Sequence, residues 1–109
     1  MTVQVVPTFS NGIARYRQVT ALDGLDFVMY FSFNDRDQEW YLTLHDAQDE
    51  PIEGAIGMRL VVNWEPLRLC VDVRRPPGTL QVASEADQDP GLFELGDGVS
   101  LFYIPEADL

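Results

Sequence analysis

His45 and Cys70 are the single histidine and the single cysteine among 109 residues. Nucleophilic catalysis asks for a Ser, Cys or Thr beside a base, or for a Gly-x-Ser-x-Gly elbow, and this inventory supplies neither arrangement. His45 falls on the Tyr41/Thr43/His45 side of an alternating run and reads as a surface or partly covered histidine. Cys70, within LRLCVDV, reads as a small buried hydrophobe. One cysteine excludes an internal disulfide and fits a reducing compartment. Carboxylates are abundant, at 18 Asp and Glu. A glycosidase-like hydrolase needs two of them at a defined separation, and no spacing here selects a pair. Asn34-Asp35-Arg36-Asp37-Gln38-Glu39 and Asp87-Gln88-Asp89 gather oxygen ligands of the kind Ca²⁺ takes. Neither holds the central Gly and terminal Glu of the twelve-residue calcium loop in register, so both read as solvated turns. The chain is accordingly expected not to be an enzyme, with no catalytic, cofactor-binding or metal-binding residue.

What remains is binding. All seven bases are Arg, with no Lys, and the net charge is −11. So acidic a domain repels phosphates, which argues against nucleic acid as a partner. Arginine without lysine suits protein interfaces, where the planar guanidinium pairs bidentately and stacks on aromatic rings. Trp64 beside Pro66, then Arg68, then Arg74 and Arg75 before Pro76-Pro77, are the interface candidates, together with Asp87 and Asp89 in the acidic loop. Arg74 and Arg75 read as exposed, so replacing both with Ala is expected to spare the melt and weaken assembly. Tyr41 and Trp64 could instead form a sugar-stacking platform, which leaves a glycan-binding module on a virion or cell surface as the alternative.

The elements that would position these residues are strands. Phe27, Met29, Phe31 and Phe33 recur at every second residue, as do Trp40, Leu42 and Leu44 after the polar turn Asn34–Gln38. The pair predicts a hairpin too apolar to stand alone. Asp23-Gly24 between two β-like runs is a strong hairpin signal, so strands over 15–22, 26–33 and 39–45 should form a meander. Further strands are expected over 55–62, with Gly57 at a bulge or close approach, over 67–73, where LRLCVDV alternates, and over 79–84 and 99–104. Arg74–Gly78 reads as a stiff exposed loop. At most one short helical turn is expected, near 91–96. Residues 1–12 form an arm or an edge strand and 105–109 an acidic tail, within a single β domain over 1–109. Phe31, Trp40, Leu42 and Leu60 should be core. The sum is a small all-β antiparallel sandwich or barrel of about six or seven strands. No run approaches the roughly 18 apolar residues of a membrane span, and MTVQVVPTFS lacks the marks of a secretory signal.

One set of residues carries a resemblance. Asp23-Gly24 precedes a Phe/Tyr-rich strand, followed by Phe33-Asn34-x-Arg36 and Trp40-Tyr41-Leu42. Asp46, Pro51-Ile52, Gly54, Gly57, Leu60-Val61 and Pro66-Leu67 come next. Pro77-Gly78-x-Leu80, Asp89-Pro90-Gly91, Leu95-Gly96 and Leu101-x-Tyr103-Ile104-Pro105 complete the series. In order and spacing this resembles the short baseplate plug proteins of contractile-tailed bacteriophages, over about residues 16–105. The resemblance implies a structural virion component of the tail baseplate, made in the host cytoplasm. Its partners would be other tail proteins (tube, hub and wedge) in a symmetric multi-copy assembly, without nucleic acid, membrane or cofactor. It would plug or bridge the hub and tail-tube end until contraction. Gly98 stands where relatives usually carry a basic residue, and the chain is more acidic than is usual for them.

Overall fold

The computed structural model describes residues 3–8, 13–62, 65–67, 70–84, 95 and 99–105. Seven strands are present: β1 (Gln4–Val6), β2 (Arg15–Leu22), β3 (Leu25–Asn34), β4 (Glu39–His45), β5 (Met58–Arg59), β6 (Thr79–Ser84) and β7 (Val99–Ile104). They form two antiparallel sheets, ordered β2-β3-β4-β5 and β1-β7-β6. No helix occurs among the described residues. The expected all-β sandwich is what the chain forms.

The meander follows local chemistry. Asp23 and Gly24 both adopt positive φ, 53° and 79°, the two-residue turn whose twist matches that of antiparallel strands. Leu22 then pairs with Leu25, and the register runs on to Arg15 opposite Ser32. At the other end Asn34 Oδ1 accepts the Arg36 N–H at 2.8 Å and Gln38 turns at φ 58°, which sets Phe33 opposite Trp40. Phe27, Met29, Phe31 and Phe33 all face inward, as do Trp40, Leu42 and Leu44. Their period of two on one buried face is the whole reason. Val6, Leu80, Val82, Leu101 and Tyr103 of the second sheet join the same core cluster. Phe31, Trp40, Leu42 and Leu60 are each at most 1% exposed.

The first residues are an edge strand rather than a free arm: β1 pairs with β7. Two glutamines tie this edge to the facing sheet. Gln4 Nε2 donates to the Ala21 carbonyl at 3.0 Å, and Gln18 Nε2 to that of Pro7 at 2.6 Å.

The middle of the chain departs from expectation. Over 55–62 only Met58–Arg59 is strand, because Gly54 and Gly57 both take positive φ, 84° and 63°, which breaks the ladder on either side. Gly57 is needed for that φ and not for a close approach, since nothing lies within 4 Å of a Cβ placed there. Described residues of 67–73 form no strand. Cys70 N–H bonds back to Leu67 and Arg75 N–H to Asp72, so the run is a chain of turns. Leu67 and Cys70 are buried, whereas Val71 and Val73 are 92% and 98% exposed. The alternation of LRLCVDV was a false period. The loop after it is not wholly exposed either, because Pro76 and Gly78 are buried. The expected helical turn near 91–96 lies outside the described residues except for Leu95, which is buried and bridges to Val99.

Tyr103 joins the two sheets. Its ring is fully buried, its hydroxyl donates to Asp23 Oδ2 at 2.7 Å, and it accepts the Gly78 N–H at 2.6 Å. A β2–β3 turn, the lead into β6 and the β7 strand thus meet at one oxygen. Tyr103→Phe keeps the ring and strips both bonds, leaving a buried N–H unmatched. A loss of about 1–3 kcal/mol is expected in denaturant unfolding; an unchanged midpoint would show that the hydroxyl does no bridging.

Candidate protein interface

Of the six residues singled out from sequence, Arg74 and Arg75 are described, while Trp64, Arg68, Asp87 and Asp89 lie outside the described residues. The two arginines are neighbours in sequence whose guanidinium groups serve different parts of the fold. Arg74 donates to Asp72 through Nε (3.2 Å, to Oδ1) and Nη2 (2.8 Å, to Oδ2), to Asp46 Oδ2 at 3.1 Å and to the Pro51 carbonyl at 2.9 Å. Asp72 also accepts the Arg74 N–H at 2.9 Å and the Glu53 N–H at 3.1 Å. Asp46 in turn caps its own turn, taking the Gln48 and Glu50 N–H groups at 3.0 Å. This net fastens the 71–75 loop to the end of β4.

Arg75 reaches the other way, into the loop's interior. Its guanidinium donates to the carbonyls of Leu67, Cys70, Gly78 and Pro76 at 3.1, 2.9, 3.0 and 3.2 Å. Five rigid donors suit this task, because one side chain here satisfies carbonyls that no ladder reaches. The expectation that both arginines could be removed at no cost to the melt is therefore revised. Arg75→Ala should cost about 1–3 kcal/mol by leaving several of those carbonyls without a donor. Chemical denaturation reads this directly, and a midpoint equal to wild type would return Arg75 to a purely external role.

The Arg74 guanidinium, by hydrogen bonding, holds the Asp72 carboxyl well below the usual carboxylate range, with the Arg74 and Glu53 N–H groups adding to the effect. The Glu50 and Gln48 N–H groups, with Arg74, lower that of Asp46. Depressed folded-state values mean that the stabilisation is fully present above the unfolded value of about 3.9 and is lost as pH falls through the lower folded value. In Arg74→Ala, Asp72 is expected to titrate closer to that ordinary value. Carboxyl-carbon NMR titration checks this, and an Asp72 that still resists protonation would remove Arg74 as the cause.

The net leaves an apolar tip. Val71 and Val73 flank Asp72, whose carboxylate points back into the loop, so both valines face solvent on a backbone that is already fastened. A groove of about 340 Å³ beside them is lined by Glu53, Gly54, Val71 and Asp72.

A second surface was not foreseen from the sequence. On the outer face of the four-stranded sheet, Asp49 Oδ1 accepts from the Tyr30 hydroxyl at 2.7 Å and lies 3.0 Å from His45 Nδ1, and Arg17 stands 3.7 Å from Oδ2. The Tyr30 hydrogen bond is the main reason that the Asp49 carboxyl is held low. Tyr30 and His45 rings lie 4.5 Å apart. The outward positions of β2, β3 and β4 were visible in the period. That Asp49, at φ 63°, folds back over them depends on a turn conformation that spacing does not reveal. Tyr41, one of the two aromatics considered for sugar stacking, is half-buried and bonded to Asp37. Near the end of this sheet a groove of about 310 Å³ is lined by Arg15, Tyr16, Tyr30, Phe31 and Ser32.

Among the described residues no group of three or more His, Cys, Asp or Glu is placed to hold a metal ion, and no helix is long and apolar enough to cross a membrane. The geometry is that of a scaffold with fastened loops, and comparison with known proteins agrees. No curated protein matches the chain. A family model described as the cyanophage baseplate Pam3 plug gp18 matches residues 3–106, nearly the whole length, including both sheets and the 71–78 loop. The chain belongs to that family of phage baseplate plugs.

Proposed function

We propose that this chain is a structural part of a contractile-tail baseplate that bridges the hub or tail-tube end to adjoining baseplate proteins through protein–protein interfaces. The family match carries this reading. The apolar tip at Val71 and Val73, on a loop held by Asp72, Arg74 and Asp46, supports it, because a preorganised apolar projection loses little entropy on docking. The mechanism is mechanical. Contacts made in the closed baseplate oppose contraction, and triggering shifts the assembly to a state in which those contacts are lost or rearranged. Trp64, Arg68, Asp87 and Asp89 remain interface candidates, with the exposed side of Arg74. Arg75 contributes by shaping the loop.

The test is genetic and compositional. Tails purified from phage carrying the intact gene should contain the chain, and phage with the gene inactivated should yield unstable or prematurely contracted tails. Complementation by the wild-type gene should restore them. Infectious, normally sheathed tails that lack the chain would overturn the reading.

A further inference from the structure

We propose that copies of this chain associate head to tail, with the Val71/Val73 tip of one copy seated in the groove lined by Arg15, Tyr16, Tyr30, Phe31 and Ser32 of the next. The inference rests on the multi-copy part of the baseplate reading and names the contact that would build it.

Three observations meet here. The first is apolar fit. Val71 and Val73 are the most exposed large hydrophobic residues described, and valine has little side-chain freedom to lose on burial. The groove is floored by Tyr16 stacked on Phe31 at a centroid distance of 4.9 Å. At about 310 Å³ it sits at the small end of ligand clefts, a size suited to two short branched side chains.

The second is charge. Among the described arginines, Arg17, Arg59, Arg74 and Arg75 each have a carboxylate within 4 Å. Arg15, on the groove, has none among the described residues, as is true of Arg36 in the β3–β4 turn. Glu53, beside Val71, uses its backbone N–H and carbonyl within the loop, while its carboxylate faces no cation among the described residues. An unspent cation lines the groove and an unspent anion flanks the tip, in a chain whose net charge of −11 would otherwise drive copies apart.

The third is placement. Arg15 pairs with Ser32, and Ser32 with Tyr41, near the start of β4. The tip is fastened by Arg74 to Asp46 and Pro51, just past the end of β4. The two anchor points are separated by most of that strand, roughly 13 Å at about 3.3 Å per residue. The tip and the Arg15 end of the groove thus lie toward opposite ends of β4, with the Tyr30 side of the groove nearer the turn that follows it. A contact between unlike patches is heterologous: it closes into a ring where the rotation permits and otherwise extends as a filament.

Sedimentation velocity on the full chain, from micromolar to millimolar concentration, tests this with variants that touch only exposed side chains. The wild type should form species larger than a dimer as concentration rises. Val71→Ser/Val73→Ser, which lacks the tip, and Arg15→Glu, which opposes Glu53, should each associate at least tenfold more weakly, with unchanged melts. Mixed in equal amounts, they should form a heterodimer and stop there, since only one intact tip and one intact groove face each other. Arg15→Glu combined with Glu53→Arg in one chain should restore association. A wild type that stays monomeric throughout, variants that associate as the wild type does, or a mixture that forms no heterodimer would each overturn the contact. Those outcomes would leave the baseplate reading standing, because that reading is decided by whether purified tails contain the chain.

Discussion

Gly78→Ala is expected to cost about 3 kcal/mol or more, a large part of the stability of so small a domain. A Cβ on Gly78 would collide with the carbonyl oxygen of Ile104 and would stand 2.7 Å from the Tyr103 hydroxyl. The first obstacle is backbone at the end of β7, paired with Thr79 in the adjoining ladder, and it cannot rotate aside. The second is the buried oxygen that takes the Gly78 N–H and holds Asp23. Making room therefore means separating β6 from β7 or breaking the link between the sheets. Gly24→Asn provides the contrast. Nothing lies within 4 Å of a Cβ at Gly24, and Asn tolerates positive φ better than other side chains, so that variant should stay close to wild type. Urea unfolding followed by tryptophan fluorescence separates the two. A Gly78→Ala protein as stable as Gly24→Asn would mean that the 76–78 segment does not lie against β7.

Trp40→Ala should cost about 3–5 kcal/mol, comparable to the whole stability of a domain at the lower end of the usual range. Trp40 is fully buried. Its ring meets Phe33 edge-on at 5.4 Å and Tyr16 at 5.9 Å, and Leu60 N–H bonds to its carbonyl. Truncation opens a void between β2, β3 and β4 that stiff neighbouring strands cannot close. Trp40→Phe should lose much less, because it keeps most of the volume. An equilibrium melt in which Trp40→Ala matches wild type would contradict the β3–β4 register itself.

These two variants differ in how well sequence foretold them. Trp40 could be assigned to the core from the Trp40/Leu42/Leu44 alternation, and so could Phe31, because a strand's buried face is a local pattern with a period of two. The Asp23-Gly24 turn was equally legible, since positive φ at two successive positions admits few residue pairs. Gly78 carried no such mark. Its constraint comes from Ile104 and Tyr103, more than twenty positions away, and only the pairing of β6 with β7 brings them there.

The candidate surfaces divide in the same way. Sequence identified Arg74 and Arg75 as functional candidates by residue type, and the order and spacing of its short motifs carried the resemblance to baseplate plugs. It read LRLCVDV as a strand because alternation is all that spacing can register. The alternation lost to side chain–backbone bonds: Asp72 taking the N–H groups of Glu53 and Arg74, and Arg75 taking four carbonyls. Such bonds compete with the ladder and need partners from elsewhere in the chain. By itself, then, the sequence determined the all-β class, the β2–β3–β4 meander and its buried aromatic face, because those rest on neighbours in the chain. Tertiary structure alone decided that the arginines hold the loop while two valines are left outside it, because that outcome depends on Asp46, Pro51 and Glu53 arriving from a different part of the chain.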